Sequence, residues 1–522
     1  MTRSLALLTV LLLPACVATD PDAGLYRFAD CDEMSDYMVA MAKQEVLWDY
    51  RWNPGGGVPF AGAERSQSLD DGSAPEDDSG GASSFSETNL QEEGVDEADL
   101  VKTDGTWLYA LAGGQLVVSR AWPYAEAAQV AQVRLDGTPE GIYLYGDLVV
   151  AVGSVWDTPE PRSGHDPTPY TDRGRTLVTV VDVSEPTAPV VIRETYAVGR
   201  LVESRRVDNR LYVVTYQDIE VAKDASDARE AERIVRDADP HDWLPWRSDH
   251  VLRRGTWEAD DDTVCDCADV WASEREGGSW LVTVQSMDLD DPTSRIAGES
   301  VVGEAATVYA SPTAMYIAAS EYSDGPFPSV DGTLQTILHK FDLGTGDAHP
   351  SYVATGKALG VVHDRFGLSE YEDVLRIATT EWEGTSSAMV HTLEESSGDF
   401  TTLDTLENLG EGEEIYATRF VRDMGYVVTF YQVDPLFTID LSDPTDIRLG
   451  GELEVTGWSD YLHPMDDDHL LSVGMDESGW DWRLAVSLFD VSDIANPKLA
   501  DRELLDAWGS EAQYESHAFN YF

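Results

Sequence analysis

The chain has 522 residues, and its 35 lysines and arginines face 97 aspartates and glutamates, which gives a formal net charge of −62. Hydrophobic residues make up 42% of the sequence, enough to bury a large core, so wholesale disorder is excluded. A surface this negative repels phosphate backbones and anionic headgroups, which argues against nucleic acid as a partner.

Residues 1–16 predict a lipoprotein-type signal peptide. Arg3 precedes the apolar run Leu5–Leu13, which is too short to span a bilayer and is typical of a secretory signal. Leu13-Pro-Ala-Cys16 resembles the bacterial lipobox, in which the cysteine is acylated and becomes the mature N-terminus. Pro14 is unusual in that motif, so the alternative is an ordinary signal peptide cleaved nearby. We expect the lipid on Cys16 to be the only contact with the membrane.

Three more cysteines, Cys31, Cys265 and Cys267, belong to a chain whose export favours disulfides. A bond from Cys31 to either Cys265 or Cys267 ties the N-terminal segment to a distant loop. A Cys265–Cys267 bond closes a small, strained ring and ranks below those two pairings. One thiol is left over in either case.

Two composition changes divide the rest of the chain. Residues 17–53 form an N-terminal segment in which apolar side chains such as Tyr37, Met38 and Met41 recur at helical spacing. This pattern predicts one helix over 26–51, capped by Asp30 or Asp32. Residues 54–89 are rich in glycine, serine, proline and acids, as expected of a flexible acidic linker.

Two sequence features repeat within residues 90–522. One is a short apolar strand that follows a turn, as in Leu148-Val-Val-Ala-Val and Leu211-Tyr-Val-Val-Thr. The other is an apolar strand that ends in an Asp–turn–Pro signal, as in Val180-Val-Asp-Val-Ser-Glu-Pro186. Recurrence about every 40 to 60 residues is typical of propeller blades, whereas sandwiches rarely repeat one turn chemistry. The predicted fold is therefore all-β, a β-propeller of seven or eight blades with a short N-terminal helix.

The spacing of these features places seven blades and one insertion. The predicted blades are 93–137, 138–199, 200–303, 304–356, 357–410, 411–457 and 458–509. The third is longest because it holds an insertion at about 218–275, with a helical stretch from Ala222 to Val235. We expect this partly helical insertion to lie on one face of the ring.

Residues 85–105 contain the pattern T-N-x-Q-x-x-G-V-D-E-A-D-x-V-K-T-D-G, and Asp434–Pro464 contain further specific motifs. These stretches resemble a family of secreted prokaryotic β-propeller proteins that are distantly related to WD40 repeats. The resemblance runs from about residue 85 to the end of the chain, and it implies an exported propeller without an established activity. In that family a further strand usually follows the position of Phe522. Either the strand near 99–112 pairs with the last strand to close the ring, or the chain is truncated.

Asp96, Glu97 and Asp99 lie close together in the first of these motifs and are candidate metal ligands. Carboxylate oxygens suit Ca²⁺, but the spacing of a calcium-binding loop is missing. The alternative role of these acids is to cap turns and to pair with arginines of neighbouring blades. No glycine-rich phosphate loop follows a strand, so Ca²⁺ is the only cofactor that the sequence suggests.

His463, Trp480, Trp482 and His517 are candidate contacts in the funnel or on the rim of the propeller. Trp480-Asp-Trp482 lies in a loop of the seventh blade, where an aromatic and acidic lip suits a sugar. His463 and the final-strand His517 suit a general base, but neither has a nucleophile nearby in the sequence. No catalytic residue is assigned.

The absence of a catalytic motif favours a binding role over an enzyme. We expect an exported, lipid-anchored scaffold at the cell envelope or outer membrane, or else a secreted one. Carried on a flexible stalk, it would present loops to an extracytoplasmic protein or glycan. The alternatives are a propeller hydrolase or lyase acting on extracellular polymers, and a Ca²⁺-dependent adhesion module.

Overall fold

The structure, a computed structural model, describes residues 25–52, 88–156, 161–164, 174–219, 225–273, 280–322, 333–344, 349–382, 386–430, 434–476 and 482–520. The signal peptide with Cys16, residues 53–87 of the linker region, and Trp480 lie outside these ranges. No helix within the described ranges has the length and apolar character needed to cross a membrane.

The described strands form seven consecutive antiparallel meanders of four strands, here called units 1 to 7. Unit 1 contains the strands Val101–Thr103, Trp107–Ala112, Gln115–Arg120 and Ala128–Arg134, and unit 2 contains Thr138–Tyr145, Leu148–Val155, Arg175–Asp182 and Val190–Val198. Unit 3 contains the strands Arg200–Val207, Arg210–Asp218, Trp280–Asp288 and Ala297–Val302, and unit 4 contains Thr307–Ala310, Ala314–Tyr322, Leu334–Asp342 and Ser351–Leu359. Unit 5 contains the strands Leu368–Tyr371, Val374–Glu381, Ser387–Ser396 and Asp399–Leu409. Unit 6 contains Glu414–Val421, Met424–Phe430, Asp434–Asp440 and Arg448–Val455, and unit 7 contains Trp458–Pro464, His469–Asp476, Arg483–Asp490 and Lys498–Leu505.

The other elements are two helices, six short strands and six 3₁₀ turns within the described residues. They are the helices Cys31–Trp52 and Ala228–Asp237; the strands Tyr26–Arg27, Val95–Asp96, Trp246–Arg253, Thr256–Thr263, Val270–Ala272 and Val361–Val362; and the 3₁₀ turns Tyr124–Glu126, Pro240–Trp243, Cys267–Asp269, Arg365–Gly367, Glu511–Gln513 and Ser516–Ala518. The fold is therefore all-β with two helices, as the repeats predict.

Aspartates shape the connections between third and fourth strands. In units 6 and 7, the carboxylates of Asp440 and Asp490 accept hydrogen bonds from the backbone N–H groups of Ser442 and Ser492 at 3.0 and 3.1 Å. Asp182 of unit 2 accepts the same bond from Ser184 at 2.9 Å. These bonds satisfy backbone donors inside a tight turn, which explains why the Asp–turn–Pro signal repeats along the chain.

Apolar clusters form between consecutive units. Between units 1 and 2, for example, Leu116 and Val118 pack against Ile142 and Val149, and all four side chains are buried. Equivalent clusters join each following pair of units up to units 6 and 7. The sheets thus pack face to face in sequence order, as blades do in a propeller.

The second face of unit 7 packs on residues 506–520, here called the C-terminal strap. Tyr461 and Val473 of unit 7 form a cluster with Ala512 and Phe519 of the strap. Unit 1 and unit 7 are each built from four consecutive strands of their own. In the described residues the strand at Val101–Thr103 pairs within unit 1 and not with the last strand of unit 7, so the first of the two alternatives for the end of the chain is not seen.

The insertion of unit 3 extends two neighbouring sheets. Its hairpin Trp246–Arg253 and Thr256–Thr263 adds two strands to the outer edge of unit 2. Its strand Val270–Ala272 pairs with Ala297–Val302 of unit 3 and with Tyr26–Arg27 near the N-terminus. The sequence predicts that the insertion lies on one face of the ring. Its strands instead pair with the edges of two sheets, where they cover backbone groups that would otherwise be unpaired.

The N-terminal helix is fixed to this insertion. It begins at Cys31 rather than near residue 26, because Asp30 accepts hydrogen bonds from the backbone N–H groups of Asp32 and Glu33 at 3.0 Å and caps it. Phe28, Met34 and Met38 pack in one buried cluster with Ala231, Val235 and Trp243 of the insertion.

A disulfide joins Cys31 to Cys267, with 5.1 Å between the two Cα atoms. This is one of the two pairings that the sequence favours. Cys265 is a free, buried cysteine, and burial raises the pKa of its thiol to about 12. The disulfide therefore fixes the N-terminal helix covalently to the insertion of unit 3.

Candidate functional site

Residues 88–99, here called the central segment, contact the first strand of every unit. Six of these contacts are hydrogen bonds of 2.6 to 3.1 Å, and the seventh is a β-ladder pair. From unit 1 to unit 7 the partners are Lys102 with Asp96, Ile142 with Asp99, Val207 with Val95, Tyr309 with Glu92, Leu368 with Gln91, Arg419 with Gln91, and Tyr461 with Asn89. Seven first strands that share one partner surround one centre, as inner strands surround a propeller axis.

Two glycines permit this close packing. Gly94 has a φ of +86°, a conformation that side chains rarely adopt, and it turns the central segment toward unit 3. A Cβ added to Gly141 in the first strand of unit 2 would lie 2.7 Å from the Cβ of Ala98. The glycine and alanine of the opening motif therefore have steric roles.

Glu97 is the most enclosed charge of the central segment, with 1% of its side chain exposed. Its carboxylate lies 2.8 Å from the Arg365 guanidinium, 4.0 Å from that of Arg205, and 2.7 Å from Nε2 of His517. Burial disfavours the ionised carboxylate, but the charges of Arg365 and Arg205 and the bond from His517 outweigh it and lower the pKa of Glu97. Glu97 is thus held as an anion in a buried network.

His517 belongs to the C-terminal strap and closes this network. It lies in the 3₁₀ turn Ser516–Ala518, not in a final strand as the sequence suggests. Burial opposes the imidazolium, but hydrogen bonds to Glu515 and Glu97 outweigh it and raise the pKa of His517 to about 9. At neutral pH the ring is a cation paired with Glu97, which ties the strap to the central segment.

The three candidate metal ligands face different partners. Asp96 lies 2.7 Å from Nζ of Lys102 and 2.9 Å from the guanidinium of Arg206. Asp99 accepts a hydrogen bond of 3.2 Å from the Thr88 hydroxyl. No group of three His, Cys, Asp or Glu side chains in the described ranges is placed to hold a metal ion. Lys and Arg side chains lie beside Asp96 and Glu97, as in the pairing alternative.

His463 lies near the end of the first strand of unit 7. Its Nδ1 is 3.3 Å from the Tyr461 hydroxyl, and its ring centroid is 4.8 Å from that of Phe519. Burial, with the charge of Arg419, lowers the pKa of His463 to about 4, so the ring is neutral at pH 7. His463 thus packs as a neutral ring between Tyr461 and Phe519.

One edge of every unit carries the connections between second and third strands and the connections to the next unit. We call this edge of the molecule the loop-rich face; the opposite edge carries the remaining turns. It bears the exposed indoles of Trp156, Trp382 and Trp482, of which 68%, 45% and 41% is accessible. Trp508 and Tyr514 of the strap, which starts from this face, are 89% and 85% exposed. Exposed aromatic side chains are enriched at recognition surfaces.

Trp482 is part of a row of four rings on this face, here called the aromatic row. The row consists of Tyr416 and Phe430 from unit 6 and Trp458 and Trp482 from unit 7. Neighbouring centroids are 4.9 to 6.5 Å apart. Of the candidate rim residues only Trp482 lies in the row, and Trp480 falls outside the described residues.

Tyr416, Phe430, Trp458 and Asp460 are not among the residues that the sequence singles out. Tyr416 follows Glu414 by two residues, and Asp460 follows Trp458 by two, so each pair shares one side of a first strand. This alternation was the available signal. It could not show that strands of two different units bring the rings together.

A family model described as "Beta propeller domain" matches residues 85–522, the same stretch for which the opening motif predicts the resemblance. An uncharacterized protein of Methanocaldococcus jannaschii is 38% identical over 169 residues, which cover 32% of this chain and 26% of that protein. An uncharacterized protein of Archaeoglobus fulgidus is 25% identical over 491 residues, covering 83% of this chain and 73% of that protein.

Solved structures with likeness to this chain are remote. Kluyvelomyces marxianus Hsv2 has a TM-score of 0.31 at 9% identity, over 79% of this chain and 100% of that chain. Chaetomium thermophilum Sqt1, bound to the N-terminus of ribosomal protein L10, has a TM-score of 0.30 at 12% identity, over 69% of this chain and 84% of that chain. At these scores the likeness carries no argument about function.

Proposed function

The chain belongs to the β-propeller domain family, and from this premise we propose that it is an exported, lipid-anchored, non-catalytic binding scaffold at the cell envelope. A β-propeller domain suggests a binding scaffold. The location, the anchor and the choice of face are parts of the proposal. The partner is an extracytoplasmic protein or glycan that contacts the loop-rich face.

The observation that carries this proposal is the state of the molecular centre. In a propeller hydrolase, acids and a histidine around the channel would have to reach a substrate. Here the central segment fills that position, and Glu97 is 1% exposed beneath Arg365, Arg205 and His517. Because Asp96 and Glu97 are bonded to the protein's own cations and Glu92 to the Tyr309 hydroxyl, the exposed aromatic side chains of the loop-rich face are better placed for recognition.

The anchor fits the position of the N-terminal helix. Leu25, the first described residue, is nine positions beyond Cys16, and a chain of that length extends for at most about 30 Å. The helix that follows is held on the insertion by the Cys31–Cys267 bond. In this proposal the stretch before Leu25, rather than residues 54–89, forms the tether.

Two measurements test the proposal. Mass spectrometry of the protein purified from its source membranes should find an acylated Cys16 as the first residue. An unmodified N-terminus at any other residue would overturn the anchor.

For binding, the mature chain carrying Cys16→Ser should co-sediment saturably with envelopes from the source cells and release no soluble fragments. Progressive release of sugars or peptides would assign the rival hydrolase or lyase. A failure to saturate would remove the scaffold role. Repeating the titration with Ca²⁺ and with EDTA separates the adhesion alternative, which requires the metal.

A further inference from the structure

The aromatic row is held rigidly by two neighbouring units. Tyr416 and Trp458 lie near the starts of the first strands of units 6 and 7, Phe430 ends a second strand, and Trp482 precedes a third strand. All four positions are at the loop-rich ends of their strands. Because strands carry Tyr416, Phe430 and Trp458, and Trp482 contacts Trp458, a ligand pays little entropy to order these rings.

Two carboxylates border the row, and neutral N–H groups orient both of them. The Trp458 indole donates to Asp460 at 3.0 Å, and the Gln513 side chain of the strap donates to its other oxygen at 2.6 Å. The Trp382 indole donates to Glu414 at 2.9 Å. A carboxylate offers about four acceptor positions, so each retains free lone pairs for hydroxyl donors of a ligand.

The charge beside the row differs from that at the centre. Within the part of the chain that the structure describes, no lysine or arginine pairs with Asp460 or Glu414. Burial raises the pKa of Asp460, although its hydrogen bonds from Gln513 and Trp458 and the nearby ring of His363, which stacks on Tyr416 at 6.4 Å, oppose the shift. These unpaired acids repel phosphates, sulfates and carboxylates, so the ligand of the row is not an anion.

The spacing of the rings separates a sugar from an organic cation. A quaternary ammonium group is bound by rings that surround it, at up to about 6 Å from each centroid. Here adjacent rings touch one another, with centroids 4.9 Å apart between Trp458 and Trp482 and 5.4 Å apart between Tyr416 and Phe430. No space is left between them for a cation, and the ligand must lie along their outer surface.

We propose that the aromatic row binds a neutral polysaccharide of the cell envelope. Pyranose rings present C–H faces that pack on aromatic rings and hydroxyl groups that donate to fixed carboxylates, which matches both chemistries of the row. The row extends over two units, and its rings are inclined at 41° to 75° to one another, so a polymer could pack sugar faces on some rings and contact the edges of the others. This inference rests on the proposed scaffold function and narrows its partner from protein or glycan to glycan.

The test uses the soluble polysaccharide fraction of the same envelopes, after protease treatment, as the probe. Binding to the mature Cys16→Ser chain is followed by quenching of tryptophan fluorescence and by affinity electrophoresis. Trp482→Ala and Tyr416→Ala remove a ring each, and we expect each to raise Kd roughly fivefold, since stacked rings contribute about 1 kcal/mol. Trp156→Ala is the matched control, because it removes an exposed indole from the same face of unit 2.

Oxidation of the vicinal diols of the probe with periodate should abolish binding, and tetramethylammonium should not compete. Retained affinity of both row variants, or competition by tetramethylammonium, would overturn the inference. If envelopes bind saturably but lose binding after protease treatment, the scaffold role stands and the partner is a protein, which also overturns the glycan. If neither envelopes nor polysaccharide bind, the scaffold role and the glycan fall together. Circular dichroism melting of each variant verifies that a loss of affinity is not a loss of folding.

Discussion

The centre of the molecule and its loop-rich face both combine carboxylates with aromatic rings, but they use the carboxylates differently. At the centre, Glu97 and Asp96 are bonded to Arg365, Lys102 and Arg206 at 2.7 to 2.9 Å. On the loop-rich face, and within the described residues, Asp460 accepts hydrogen bonds only from the neutral donors of Trp458 and Gln513. In a protein with a net charge of −62, Glu97 at the centre is thus neutralised by cations, whereas Asp460 on the loop-rich face keeps a carboxylate bonded to neutral donors.

The largest expected effect comes from removing the charge of Glu97. Glu97→Gln leaves Arg365 and Arg205 buried beside a neutral amide, and breaking a buried ion pair costs about 3 to 5 kcal/mol. Urea unfolding should show this loss. Glu93→Gln, an exposed glutamate of the same segment, is the control and should leave stability unchanged. If the two variants were equally stable, the buried ion pairs of Glu97 would not stabilise the centre as we propose.

The pH dependence of stability tests the link between Glu97 and the strap. The pKa of His517 is about 9 in the folded protein against an ordinary value of 6.5, so its contribution is complete below pH 6.5 and is lost as pH rises through 9. We expect a decrease of about 3 kcal/mol between pH 6 and pH 10, since each pKa unit corresponds to about 1.4 kcal/mol. The lowered pKa of Glu97 acts oppositely, and its contribution is lost as pH falls below the ordinary glutamate range.

Urea titrations at pH 6, 8 and 10 measure this decrease, and the variant His517→Gln is the reference. The variant should show a flatter profile over the same range, because it lacks the titrating ring. Identical slopes in the two proteins would place the titration at another group.

A matched substitution on the loop-rich face should have a small effect. Asp460→Asn removes a charge that burial already disfavours, and it keeps an oxygen for the Trp458 indole. The new amide nitrogen cannot accept the 2.6 Å hydrogen bond from Gln513, so we expect a loss of about 1 kcal/mol in urea unfolding, the value of one hydrogen bond. A loss comparable to that of Glu97→Gln would show that this acid, too, belongs to a structural network.

Calcium should have the smallest effect. Asp96 and Glu97 already face lysine, arginine and histidine, so adding 1 mM Ca²⁺ or EDTA should shift the melting temperature by less than about 1 °C. A calorimetric scan checks this value. A clear rise with Ca²⁺ that EDTA reverses would restore the metal site at the central segment.

The repeated parts of the fold could be predicted from local sequence. An aspartate such as Asp440 binds the backbone two residues later, and that turn can be recognised wherever the signal recurs. The N-terminal helix was predictable because its buried face repeats at helical spacing. The strand Tyr26–Arg27 was not, because its partner Trp271 is far away in the sequence.

The roles of the acids could not be predicted in the same way. Glu97 and its partners Arg205, Arg365 and His517 are separated by more than 100 residues each, and only the packing of the units brings them together. The sequence offered metal binding and arginine pairing as alternatives for such acids, and in the folded protein Glu97 lies beside two arginines. Similarly, Tyr416 and Trp458 meet because two units are adjacent.

Amide hydrogen exchange of the intact protein tests the central claim, that residues 88–99 seal the centre and leave recognition to the loop-rich face. Peptides that cover 88–99 should exchange as slowly as the buried strand Leu148–Val155, through global unfolding alone, because every unit bonds to them. Exchange of 88–99 within seconds, at the rate of exposed connections, would show that the centre is open and would contradict the account.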